Sequence, residues 1–274
     1  MRSLSFHDAY ACRHSGACCN AGWIEPLDTG TCRHFGAHAS GGCTIHRASG
    51  HGALPRACQQ FPRVATISPL GASVTLSAFC PTSASLLFAR GPFAITERPS
   101  PLFQAELEGM DARDALPPLL REGMLMDWAS VARWEALAVD LLSARRHDPG
   151  GALAVIESAS RHVCATWSPG SGHTLGRALS GAFDAASAGP PAGAGDAGVL
   201  AEPAARYFAA HAFACWPMYQ GRGIAGALEH LAAVRATLDA ESARQAADAG
   251  RALDAALLMA AFRQSDLRLR HTAG

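Results

Sequence analysis

The chain has 274 residues, 49% of them hydrophobic and 17% charged, with a formal net charge of zero. That length can bury a sizeable core in one or two domains. The neutral balance excludes the electrostatic footprint of a nucleic-acid or anionic-membrane binder. All 23 basic residues are Arg, a bias that accompanies abundant Ala and Gly and carries no functional reading.

Met1 to Ala11 is polar and lacks the apolar run of a signal peptide. No apolar stretch reaches the roughly 18 residues of a membrane span, so no membrane partner is expected and the cytoplasm is the expected compartment. Clustered cysteines in that compartment read as metal-binding or catalytic rather than disulfide-bonded. Seven of the nine cysteines lie between Cys12 and Cys80: Cys12, Cys18, Cys19, Cys32, Cys43, Cys58 and Cys80. Six of the twelve histidines (His7, His14, His34, His38, His46 and His51) fall in or beside the same stretch.

Residues 1–60 show little periodicity and too few large apolar side chains to fold around a core of their own. A metal centre could supply the missing stability. Residues 63–68 and 73–78 are β-branched and partly alternating, which predicts a hairpin with its turn at 69–72. Cys58 precedes the first strand and Cys80 follows the second, so an antiparallel hairpin brings both to one end. Thr82 or Ser83 then caps a short helix through 85–90, stopped by Gly91-Pro92. Cys80 stands just ahead of its N-terminus, where the helix dipole favours negative charge.

Residues 93–117 read as a Pro-containing connection with a weak helical segment near 102–110. From Pro118 the pattern is helical. Asp127 caps a helix over 128–146, with Val131, Trp134, Ala138, Leu141 and Leu142 as its apolar stripe. Pro149 opens a helix to about Thr166, and another spans 175–186. Gly189–Gly198 reads as a flexible loop. Helices follow at about 200–215, 223–239 and 242–267. The fold class expected is mainly α: an irregular Cys-rich metal-binding lobe (1–92) with one β-hairpin, packed on a helical domain (93–274) of about six helices.

Thiolates are soft ligands suited to zinc or an iron–sulfur cluster. Seven exceed one tetrahedral site, and their spacings match neither a paired C-x2-C ribbon nor a two-cluster ferredoxin run, so the metal stays open. His46 and His34, near Cys43 and Cys32, have ligand spacing but read more readily as surface side chains. Cys164 and Cys215 read as small core residues on Ala-rich helical faces. Gly221-Arg-Gly-Ile-Ala-Gly226 matches G-x-G-x-x-G but follows no strand, so a turn opening a helix is the better reading. Tyr207, Phe208, Phe213 and Trp216 read as helix core, with the wall of a substrate groove as the alternative.

Four blocks carry a resemblance to a known family. They are Cys12-x5-Cys18-Cys19-x3-Trp23-Ile24-x3-Asp28; Cys32 with Gly42-Cys43-Thr-Ile-His46; Leu54-Pro-Arg-Ala-Cys58-Gln-Gln-Phe-Pro62-Arg63; and Leu76-Ser77-x2-Cys80-Pro81-x2-Ala84-x-Leu86-Leu87. In order and spacing they resemble the cysteine-cluster family of zinc- or iron-chelating domains, and within it the flagellin lysine N-methylases. The resemblance covers about a third of the chain. It implies a Cys-ligated metal or iron–sulfur centre beside a helical body. It also implies methylation of lysines on a protein substrate, flagellin in that family, with S-adenosylmethionine as donor. Lysine must lose its ammonium proton before attack, and Asp28 and Glu25 are the candidate bases. A non-catalytic zinc- or iron-chelating protein, or a redox or metal sensor, is the alternative.

Overall fold

A computed structural model describes residues 1–13, 16, 32–36, 42–97, 107–188 and 200–271. Cys18, Cys19, Glu25, Asp28, His14 and His38 lie outside the described residues, as do the loop at 189–198 and most of the helical segment expected near 102–110.

The expected hairpin is present. Counting strands in chain order, β1 is Arg2–Leu4, β2 is Arg63–Ser68 and β3 is Gly71–Leu76. β2 and β3 pair antiparallel from Arg63↔Leu76 to Ser68↔Gly71. The turn is tighter than expected because Gly71 takes φ 101°, and Ser68 Oγ accepts from Leu70 N. Short strands β4 (Ile95–Glu97) and β5 (Met110–Asp111) complete a five-stranded sheet of order β4-β1-β3-β2-β5. Met110 is therefore in a strand, not a helix. β1 runs parallel to β3, and β5 parallel to β2. The helical reading from Pro118 is also corrected: β6 (Leu119–Arg121) and β7 (Met124–Leu125) form a small hairpin before the first long helix. Their shortness leaves almost no period for a sequence pattern to show.

Short helices α1 (Thr44–Ser49) and α2 (Arg56–Gln60) precede the hairpin, and α3 (Pro81–Leu86) follows it. α3 starts earlier than expected, with Cys80 itself at the N-cap and Pro81 in the first turn. Proline there is preset for a helix start, which the reading from Thr82 or Ser83 missed. Six longer helices form the body: α4 (Trp128–Ala144), α5 (Pro149–Thr166), α6 (Leu175–Ser187), α7 (Ala201–Ala212), α8 (Gly223–Ala249) and α9 (Ala255–Asp266). Asp127, Asp148, Thr174 and Asp254 cap α4, α5, α6 and α9 by accepting backbone N–H bonds. Such caps contribute about 1 kcal/mol each. Two helices fill 223–267 as expected, but the break falls after Ala249 rather than near residue 240. Ser242 resembles a cap, but no breaker precedes Gly250, whose φ of 61° ends the helix.

One hydrophobic cluster joins Leu4, Phe6, Ala78, Ala84, Leu87 and Phe93 to the helical body around Trp134, Ile156, Phe213 and Phe262. Two polar ties pin the sheet to the helices. Arg2 on β1 pairs with buried Glu135 on α4 at 2.8 Å. The link after α7 docks on β2, where Thr66 Oγ donates to Ala214 O (3.3 Å) and Trp216 Nε1 donates to Ala65 O (3.0 Å). This docking places β2, the α7–α8 link and the C-terminal turn around one space. Among the described residues, no helix is long and apolar enough to cross a membrane.

Candidate functional site

Tyr10, Leu76 and Cys80 form a small buried cluster at the open end of the hairpin, with Phe61 and Leu86 against it. Tyr10 Oη lies 3.9 Å from Cys80 Sγ. Burial, and then the thiols of Cys80 and Cys12, push the Tyr10 hydroxyl well above its ordinary pKa. Cys12 and Cys80, far apart in sequence, therefore converge on one hydroxyl. Arg63 belongs to the same neighbourhood: burial lowers its pKa, while Tyr10 and Cys12 oppose that shift.

Of the other described cysteines, Cys32 and Cys43 are tied together through Phe35. Cys32 opens a turn whose Phe35 N donates to Cys32 O, and Phe35 bridges antiparallel to Cys43. Cys43 is the N-cap of α1. Cys58 is half-buried on α2. Among the described residues no group of three or more His, Cys, Asp or Glu side chains is gathered as metal ligands. The thiol pair at Tyr10 has the donor chemistry of a zinc or iron–sulfur site. It makes up two of the seven candidate ligands.

A second polar centre was not read from the sequence. Asp266, at the end of α9, is 1% exposed and accepts from Ser77 Oγ (2.7 Å), Ala78 N (2.6 Å), Tyr207 Oη (3.2 Å) and His211 Nε2 (2.9 Å). Arg270 Nε lies 3.4 Å from the same carboxylate. Burial alone would raise the Asp266 pKa. The Arg270 charge and the bonds from His211 and Ser77 outweigh it and hold the group below the usual carboxylate range.

An ionised Asp266 fixes the tautomers around it. Its oxygen only accepts, so His211 Nε2 carries the proton and Nδ1 carries a lone pair. That lone pair accepts from Arg270 Nη2 (3.2 Å) and from His230 Nε2 (3.0 Å). Ser77 donates to Asp266, so its oxygen accepts from His271 Nε2 at 2.9 Å. Burial, reinforced by Arg270, lowers His211 to about 4. Burial also lowers His230 to about 3 and His271 to about 4. All three imidazoles are neutral at pH 7, and the folded network resists protonating them.

A cavity of about 500 Å³ opens against this network. Its walls include Arg63 and Val64 of β2, Cys215 and Trp216 of the α7–α8 link, His230 of α8, and Arg270 and His271. Arg63 thus borders both the cavity and the Cys12–Tyr10–Cys80 group.

The remaining sequence candidates have structural roles. Gly223 opens α8 at φ 54°, and a Cβ there would lie 1.8 Å from Leu119 O, so the glycines serve a turn and a close approach. Cys164 donates to Leu120 O at 3.1 Å from the α5 face. Cys215 is buried but lies in the α7–α8 link rather than on a helix, because Phe213 is extended and Ala214 has φ 54°. Tyr207, Phe208 and Phe213 are core, whereas Trp216 is 37% exposed at the cavity wall. The signal that could have found the buried centre is Tyr207/His211 and Asp266/Arg270 at four-residue spacing in otherwise apolar, Ala-rich helices.

Comparison with family models, curated proteins and solved structures gave no match.

Proposed function

We propose that the chain is a protein-lysine N-methyltransferase with a Cys-ligated zinc or iron–sulfur centre. In this reading S-adenosylmethionine is the donor and a protein, flagellin in the family it resembles, is the acceptor. The observation that carries the metal reading is the convergence of Cys12 and Cys80 on Tyr10. These thiols belong to the first and fourth of the blocks that carry the family resemblance. Cys18, Cys19, Cys32, Cys43 and Cys58 complete the proposed ligand set. The metal would bind or orient the reacting groups through its Lewis acidity or its cluster charge.

The methyl-transfer reading is favoured by the cavity that shares Arg63 with the thiol pair. The acceptor lysine needs a base. Asp28 and Glu25 keep that proposed role.

The test uses protein purified without oxygen. Metal analysis and a visible spectrum separate a colourless zinc site from a brown cluster. Labelled S-adenosylmethionine and the host flagellin then report transfer. The chain has no lysine of its own, so label on a lysine comes from the substrate alone. Labelled flagellin lysines are expected, and a metal-replete protein that leaves flagellin unlabelled would sink the methyltransferase reading.

A further inference from the structure

The turn from Ser77 to Cys80 joins β3 to α3 and is closed by Cys80 N donating to Ser77 O at 3.3 Å. Its first three residues are gripped from α9. Asp266 Oδ2 accepts from Ser77 Oγ (2.7 Å) and from Ala78 N (2.6 Å). Arg263 Nε donates to Phe79 O (3.1 Å), and its guanidinium lies 5.7 Å from the centroid of the Phe79 ring. Ser77 Oγ in turn accepts from Phe79 N at 3.2 Å, so the carboxylate and the hydroxyl hold the turn as one unit. Cys80 is the residue this unit carries, with its buried thiol 3.9 Å from Tyr10 Oη.

The two oxygens of Asp266 divide their work. Oδ1 receives Tyr207 and His211, while Oδ2 receives the thiol-bearing turn. Burying an ionised carboxylate is costly, and an apolar side chain would fill the same space. What the apolar side chain would not do is fix a direction. Charge-assisted hydrogen bonds are short and directional, and the groups that hold a metal ligand from behind change metal affinity about 10–100-fold when they are lost.

We propose that Asp266 and Arg263 are positioning residues for Cys80, with α9 setting the Ser77–Cys80 turn so that the thiol meets the Tyr10 group. The value of this for ligation rests on the metal reading above, whereas the placement of the thiol does not. The test uses the full-length chain and three variants that leave Asp266 and every cysteine in place. Ser77→Ala removes the hydroxyl between Asp266 and Phe79 N. Arg263→Met removes the donor to Phe79 O, and Arg263→Lys keeps one. Zinc is titrated into each protein against a chromophoric chelator. Separately, chelator-stripped protein is alkylated with iodoacetamide and its peptides are weighed, with buried Cys215 as the reference for opening of the helical body.

Ser77→Ala and Arg263→Met are each expected to weaken zinc binding about tenfold. Both are expected to raise the alkylation of Cys80 about tenfold relative to Cys215, through local opening of the turn. Arg263→Lys is expected to stay close to the parent in both measurements. A parent chain that takes up no zinc counts against the metal centre, and the alkylation ratio still decides the positioning. A Cys80-to-Cys215 ratio unchanged in both Ser77→Ala and Arg263→Met, including a parallel rise of the two thiols, would overturn the proposal.

Discussion

Asp266 and Arg270 face each other at 3.4 Å, one helical turn apart, and Arg270 rather than His211 carries the positive charge of this buried centre. Desolvation and the neighbouring guanidinium keep His211 neutral although it hydrogen-bonds the carboxylate. The centre is thus one ion pair surrounded by neutral donors. Removing one member of such a pair leaves a buried charge uncompensated, which costs about 3–5 kcal/mol. Asp266→Asn is therefore expected to lower unfolding stability by that amount at pH 7. Tyr207→Phe removes a single donor from the same ionised carboxylate and is expected to cost about 1.5–3 kcal/mol. Urea titrations of both variants check the ranking, and equal midpoints for Asp266→Asn and the parent chain would show that the pair does not hold the fold.

The same centre dictates how stability depends on pH. His7 is 2% exposed, neither of its ring nitrogens has a hydrogen-bond partner among the described residues, and burial lowers its pKa to about 3. His211 falls to about 4. In the unfolded chain each titrates near 6.5, so between pH 6.5 and 4 the unfolded state binds protons that the native state refuses. Stability then rises with pH across that window and is lost as pH falls, at about 1.4 kcal/mol per pH unit for each such imidazole. Asp266 acts in the same direction lower down. Its contribution is present above the unfolded carboxylate value and is lost as pH falls toward its depressed native one. Urea midpoints are expected to fall steeply from pH 7 to pH 5. His7→Phe is expected to flatten the slope by about 1.4 kcal/mol per unit. A flat profile in the parent chain would overturn the assignment of neutral histidines.

The long helices and the β2–β3 hairpin were legible because their signals are local: Asp127 and Pro149 mark helix starts, and β-branched runs mark strands. β1, β4 and β5 were not legible. Each is three residues or fewer, and each is held in the sheet by partners far along the chain, as Arg2 is by Ser73 and Glu97. The cysteines stood out by density, and for Cys12 and Cys80 a shared neighbour, Tyr10, is added. The Asp266 centre was invisible for another reason. Its members come from the turn after β3, from α7, α8 and α9, and from the C-terminal turn, and the two four-residue pairs do not show in one dimension that they meet.

Gly221 and Gly223 separate a turn from a nucleotide loop by their energetics. At Gly221 (φ 84°) an added Cβ meets nothing, so Gly221→Ala carries only the conformational cost of about 1 kcal/mol. At Gly223 (φ 54°) the Cβ would strike the Leu119 carbonyl, and the β6–α8 contact has to open. Overpacking adds about 1–3 kcal/mol to the same conformational cost. Thermal melts are expected to show Gly223→Ala well below Gly221→Ala, with both below the parent. If the two variants melt together, the close approach of α8 to β6 is not what requires Gly223.

Cys80 allows ligation to be separated from folding. It occupies the N-cap of α3 and makes no side-chain capping bond. Serine is a better N-cap than cysteine because its oxygen can accept from the first-turn N–H groups. Cys80→Ser therefore preserves or strengthens α3 while replacing a soft thiolate with a poor ligand for zinc or iron. The same substitution at exposed Cys12 leaves the core untouched. Cys215 is a contrasting case: it lies in the α7–α8 link, away from the Tyr10 cluster, and burial pushes its thiol up to about 12, so it stays protonated at neutral pH. Burial also raises Cys164, which donates to Leu120 O. Anaerobically purified Cys12→Ser and Cys80→Ser are expected to lose most bound metal with unchanged helical circular dichroism. Cys164→Ala and Cys215→Ala are expected to retain it. Full metal content in both serine variants would remove Cys12 and Cys80 from the ligand set, and with them the geometric support for a shared centre at Tyr10.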